Sequence, residues 1–139
     1  MMQIPFNFTE RASAAFNNRD LDALLGLMSE DFHFADPMGE TTGRAATRAR
    51  EEALFTAFPD IRVEMSPVVW NARHLAMTAV FTGTFTGAFA MGGHLIPPSG
   101  APFQFRFAGL FTFDDHHATS EEVFYDRVAL MQALGQGAG

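Results

Sequence analysis

The sequence contains no cysteine, and all nine of its basic residues are arginine. Those two absences exclude thiol nucleophiles, disulfides, thiolate metal sites and lysine Schiff bases. No apolar run approaches the roughly 18 residues that a membrane-spanning helix needs, and the start MMQIPFNFTER has no basic segment followed by an apolar one. A cytoplasmic protein without membrane contact is therefore expected. Runs of basic charge are missing too, and a net charge of −7 repels phosphate backbones, so nucleic acid is not an expected partner. Tyrosine and tryptophan occur once each, as Tyr125 and Trp70.

Phenylalanine is the opposite case, with sixteen copies in 139 residues. A chain of this length with 47% apolar residues fits one domain over residues 1–139, with 135–139 as a flexible tail. So many phenylalanines exceed the needs of a small core, which leaves an apolar cavity wall or a subunit interface for the surplus.

The first third reads as helical. Thr9 is placed to cap a helix through Phe16, and Asp20 to cap a second one carrying Leu21, Leu24, Leu25 and Met28. Residues 31–36 then alternate with strand period, Phe32, Phe34 and Asp36 sharing one face and His33 the other. A third helix is expected from Thr42-Gly43 to about Phe58, with Arg48, Glu51 and Glu52 on its wet face. Four strands follow at residues 61–71, 75–85, 103–113 and 118–125, and short links between them predict an antiparallel sheet. A short helix from Asp126 to Leu134 stops at Gly135. The whole reads as an α+β layer fold.

Two carboxylates stand out. Asp36 shares the phase of Phe32 and Phe34, so its carboxyl is either a buried acid/base or, before Pro37, the start of a turn. Asp126, in phase with Glu122 and Phe124, is either a second acid converging on the same cavity or the N-cap of the last helix. Glu122 is expected to pair with Arg106. The five histidines show no metal-ligand spacing, His116-His117 sit in a polar turn, and His94 lies in a loop able to fold over a cavity mouth.

Several strings in order, DLDALLGLMSEDFHFADPMGE, a Gly-Arg helix opening, AFPDIRVEM, IPPSG, FAGLFTFDD and EEVFYDRVALMQALG, resemble the SnoaL-like polyketide cyclases (ester cyclases) of the nuclear transport factor 2-like superfamily. The resemblance implies a cone-shaped, cystatin-like α+β barrel. In it a strongly bent antiparallel sheet packs on three N-terminal helices, with a short C-terminal helix, an apolar pocket and homodimers formed through the outer sheet face. It implies that Asp126 matches the cyclases' acid/base aspartate. The segment ending at Asp36 is similar to the one that ends in the general base of ketosteroid isomerases. The oxyanion-donor positions of those isomerases fall on Ala12 and Gly109, which have no side-chain donor, and the Arg-x-Asp pair of the superfamily's epoxide hydrolases is absent, because Arg106 precedes Phe107 and Ala108.

The function implied is cofactor-free acid/base chemistry, an intramolecular aldol ring closure on an apolar carbonyl compound such as a polyketide ester. The alternatives are a non-catalytic ligand-binding or dimer-scaffold module, and another reaction of the superfamily such as isomerisation, dehydration or hydrolysis. Asp126 and Asp36 would carry the chemistry. Phe16, Phe32, Phe55, Trp70 and Phe81 would wall the pocket, with His94 at its mouth and no metal or other cofactor.

Overall fold

The structure is a computed structural model that describes residues 4–91 and 93–136. Helix α1 (Ile4–Asn17) begins upstream of the expected cap, so Thr9 lies inside it and is buried. Its inward stripe of Phe8, Ala12, Ala15 and Phe16 has helical spacing, and this burial outweighs the local capping signal at Thr9. Arg19 takes a positive φ of 61° in the break that follows. Asp20 then caps α2 (Leu21–Gly26) by accepting the Ala23 N–H at 3.0 Å.

Strand β1 (Met28–Asp36) turns through Pro37 and Met38 into β2 (Gly39–Thr42), a short strand hidden in what reads as a plain turn. Helix α3 (Arg44–Ala57) leads to β3 (Arg62–Trp70) and β4 (His74–Thr84). The long loop after β4 contains a small hairpin of β5 (Phe89–Met91) and β6 (His94–Ile96). Strand β7 (Pro102–Phe113), β8 (Ala118–Phe124) and α4 (Arg127–Ala133) complete the chain. No helix among the described residues is long and apolar enough to cross a membrane.

The main sheet is curved and six-stranded, in the order β2-β1-β8-β7-β4-β3. It is not wholly antiparallel: β1 and β8 run parallel, because α3 and the six strands β2 to β7 carry the chain around before β8 inserts beside β1. Alternate residues of β7, from Phe103 to Phe113, face the helices, and their rings form the core with those of α1 and the segment after α3. Phe8 meets Phe111 and Phe113 at centroid distances of 4.7 and 5.1 Å, and Phe58 stacks on Phe103 at 4.3 Å. Most of the phenylalanine surplus is thus spent on ring-on-ring packing, each buried ring contributing about 2 to 3 kcal/mol.

The loop carrying β5 and β6 is tied down at its base. Thr86 and Gly87 donate to the Ala57 carbonyl, and only glycine fits at 87, since a Cβ there would collide with the Thr56 carbonyl. At the far end, Gly135 and Gln136 donate to the carbonyls of Gln132 and Met131, a Schellman closure of α4 with Gly135 at φ 79°. Gly135 and Gln136 of the expected tail thus belong to the helix closure, and residues 137–139 lie outside the described residues.

Candidate active site

Asp36 ends β1 on the same face as Phe32 and Phe34, half-buried, and it starts the turn read for it. Its Oδ1 accepts the backbone N–H of Met38 at 2.8 Å and of Gly39 at 3.1 Å, which forms the turn into β2. Its Oδ2 accepts the Tyr125 hydroxyl at 3.0 Å. All three partners are donors, the complement of a carboxylate, which only accepts. Tyr125 follows the last residue of β8, where its ring meets Phe105 edge-on at 5.2 Å. Burial, and then the charge and hydrogen bond of Asp36, raise the Tyr125 hydroxyl well above the ordinary phenol range. Its proton is therefore held on the bond to Asp36.

Two more carboxyls face the same interior. Glu121 lies opposite Phe34 on β1 and Phe111 on β7, and it shares the inward face of β8 with Val123 and Tyr125. Glu51 is 9% exposed and stands in the buried stripe of α3 with Thr47 and Ala57. This corrects the wet-face expectation: of the three charges assigned to that face, Arg48 reaches Asp22 at 2.5 Å and Glu52 is exposed, but Glu51 points inward. Arg50 Nη2 lies 3.5 Å from Glu51, while its guanidinium carbon sits 3.4 Å above the Phe34 ring centroid.

Burial pushes the Glu51 carboxyl above its usual range, with Arg50 opposing the rise. Burial likewise pushes Glu121 up to about 7; Arg50 opposes this, and the charges of Glu51 and Asp36 add to it. One end of the interior thus holds a hydrogen-bonded carboxylate beside a carboxyl set to carry a proton near neutrality. Sequence reading missed Glu121, Glu51 and Tyr125 as members of this group. Among the described residues, no three His, Asp or Glu side chains are grouped as a metal site would need.

The profile of the SnoaL-like polyketide cyclase family matches residues 7–134, nearly the whole chain. The chain belongs to the SnoaL-like polyketide cyclase family. No curated protein gives a significant match. Solved structures share the fold at low identity. AclR from Streptomyces galilaeus, described as a candidate hydroxylase, is 23% identical with a TM-score of 0.79, covering 97% of this chain and 98% of its own. IdmH from Streptomyces antibioticus, described as a candidate polyketide cyclase, is also 23% identical, with a TM-score of 0.76 over 94% of this chain and 98% of its own. A protein with a ketosteroid isomerase-like fold from Catenulispora acidiphila gives 21% identity and a TM-score of 0.73, covering 93% and 92% of the two chains. The expected superfamily fold is therefore present, and family membership supports a cyclase-type role.

Within this SnoaL-like frame, Asp126 does not join Asp36. It is exposed and caps α4, its Oδ1 accepting the N–H groups of Val128 at 2.8 Å and Ala129 at 3.4 Å. The residues it was read in phase with, Glu122 and Phe124, face outward, Phe124 being 52% exposed. Nor do Glu122 and Arg106 pair, because Glu122 lies opposite Leu110, four residues farther along β7.

Of the expected wall, Phe16, Phe55 and Phe81 do come together, with Phe16 5.0 Å from Phe55 and 5.7 Å from Phe81. Phe81 continues to Phe107 at 4.9 Å, and the Arg19 guanidinium covers Phe55 at 4.5 Å. Phe32 is fully buried and belongs to the core. Trp70 ends the edge strand β3 and is 44% exposed, and His94 is exposed on the β5–β6 hairpin. A cleft of about 740 Å³ opens elsewhere, between α1 and β3, with Ser13, Asn17, Arg62 and Glu64 in its lining. Its lining includes Glu10 and Glu64 but not Asp36, Tyr125 or Glu121.

Proposed function

We propose that this chain is a cofactor-free cyclase that closes a ring in an apolar carbonyl compound, such as a polyketide ester, with Asp36 as general base. The observation that carries the reading is the Tyr125–Asp36 hydrogen bond at 3.0 Å, made at the edge of an aromatic interior. A carboxylate is suited to removing a proton from a carbon flanked by carbonyls, and an apolar setting keeps water from the enolate.

The C–H bond breaks, its proton goes to Asp36, and the electron pair moves onto the carbonyl oxygen. The enolate carbon then attacks a second carbonyl of the same molecule to form the new C–C bond. The alkoxide so produced takes the proton back from Asp36, and the product is an isomer of the substrate. Tyr125 orients the carboxylate through Oδ2, and the turn N–H groups of Met38 and Gly39 hold Oδ1.

We assign the outer sheet face to a second copy of the chain. There Phe124 lies opposite Ala108, and Leu110 is 40% exposed, an apolar patch on otherwise polar strands.

The test is turnover of a diketo ester by the wild-type protein, Asp36→Asn and Tyr125→Phe, each checked for folding by circular dichroism. Loss of turnover by folded Asp36→Asn, with a smaller loss for Tyr125→Phe, supports the reading. Full turnover by folded Asp36→Asn overturns it, and ligand binding without turnover by any form favours the binding-module alternative.

A further inference from the structure

The acid/base reading leaves one inward group without a task. Glu121 is half-buried, and among the described residues no hydrogen bond or ion pair reaches its oxygens. Its neighbours are committed elsewhere. Arg50 is turned to Glu51 and lies flat over Phe34, while the Tyr125 hydroxyl is given to Asp36.

The adjacent strand presents no side chain beside it. Gly109 on β7 faces inward, and a Cβ built there would stand 3.7 Å from Glu121 Oε2 and 2.7 Å from Met77 Cε. A larger residue at 109 would displace the Met77 methyl and crowd the carboxyl. Along β8 the same inward face leads from Glu121 past Val123 to Tyr125, and along β1 it leads from Phe34, the partner of Glu121, to Asp36. The two acids therefore stand about 7 Å apart in strand rise, one with three hydrogen-bond donors and one with none.

We propose that Glu121 is a second catalytic group of this site, the proton-bearing donor to the oxyanion that forms when Asp36 removes a proton from carbon. The inference rests on the Asp36 reading and adds the acid to its base. As the C–H proton passes to Asp36, the Glu121 O–H proton passes to the carbonyl oxygen, which gives a neutral enol. When the enol carbon bonds to the second carbonyl, the enol O–H returns its proton to Glu121, and Asp36 protonates the new alkoxide. Both acids end as they began. Two carboxyls driven to different protonation states by different surroundings are the usual arrangement for such paired work.

The charged groups facing Glu121 are Arg50 and Glu51 from α3 and Asp36 from β1, while β7 presents only Gly109 and apolar side chains. The burial that lifts Glu121 to about 7 keeps its proton available near neutrality.

A dinitrophenolate, anionic from about pH 5 to about pH 9, mimics the oxyanion and requires no turnover. Its affinity for the wild-type protein is expected to fall about tenfold per pH unit above pH 7, as Glu121 loses the donated proton. Glu121→Gln keeps a donor that cannot titrate, so its affinity should show no such fall. Turnover by the same variant should drop at least about tenfold and lose the alkaline limb that this acid gives the wild-type profile. A fall in affinity shared by both proteins, or no phenolate binding at any pH, overturns the proposal. If Asp36→Asn is inactive while Glu121→Gln keeps the wild-type pH profile, the base stands and the acid falls. If Asp36→Asn is fully active, the underlying reading falls with it.

Discussion

Glu121 and Glu122 are neighbours on one strand, and they live in different media. Glu121, Val123 and Tyr125 look into the interior beside Asp36, whereas Glu122, Phe124 and Asp126 look outward, where a carboxylate is solvated or caps a helix. The side-chain types on the two faces are alike: an acid, an apolar residue and a hydrogen-bonding group near the strand end. What separates them is the environment, which lifts one glutamate toward neutrality and leaves Asp126 holding backbone N–H groups. Position on the pleat decides which acid can do chemistry.

That contrast yields its largest effect when the same substitution is made on each face. Asp36→Asn should lower turnover of a diketo ester by about 10²- to 10⁴-fold, while Asp126→Asn, still a good cap, should change it less than about twofold. Steady-state rates of the two variants measure the difference, and equal losses would erase the distinction between the faces. Next in size is the outer patch. Phe124→Arg places charge on the face assigned to the second copy and should convert a dimer to monomers in sedimentation experiments, with helix content unchanged.

A third effect comes from the inward acid. With Glu121 at about 7 in the fold against 4.5 as a free side chain, the folded chain keeps a proton that the unfolded chain releases between those values. Stability contributed by this group is complete below about pH 4.5 and falls as pH rises toward 7, by on the order of 2 kcal/mol after allowance for solvent. Urea titrations across that window should show this fall in the wild-type protein and a flatter response in Glu121→Gln. The smallest effect is at the rim, where Asp126→Ala removes the cap of α4 and should cost about 1 kcal/mol in thermal unfolding, with turnover nearly unchanged.

The sequence carried the order of elements well, because periodicity and turn residues are local signals. Alternation placed Asp36 on the inner face beside Phe32 and Phe34, where it stands. The inner face of β8 was not legible, for a reason found at the start of that strand. Phe113 is opposite Ala118, both buried, and continuing this phase would carry Ser120, Glu122, Phe124 and Asp126 inward. A one-residue bulge intervenes: Thr112 pairs with Ser120, leaving Thr119 as the extra residue, its hydroxyl donating to the Thr112 carbonyl at 3.2 Å. Such a slip turns every later side chain to the other face. It brings Glu121 and Tyr125 to Asp36 and sends Asp126 out. Glu51 was hidden by a different signal, since Arg48 three and four residues before Glu51 and Glu52 describes a solvated face as well as a buried acid. Parallel pairing of β1 with β8 is a long-range contact that no local pattern announces.

The central claim, that Asp36 moves a carbon-bound proton inside this fold, is tested most directly without ring closure or product analysis. In D₂O, the loss of the proton between the carbonyls of a simple keto ester, followed by NMR, reports abstraction alone. The account predicts exchange faster than in buffer with the wild-type protein, and exchange at the buffer rate with folded Asp36→Asn. Wild-type-rate exchange by Asp36→Asn, or exchange abolished instead by Asp126→Asn, would contradict it.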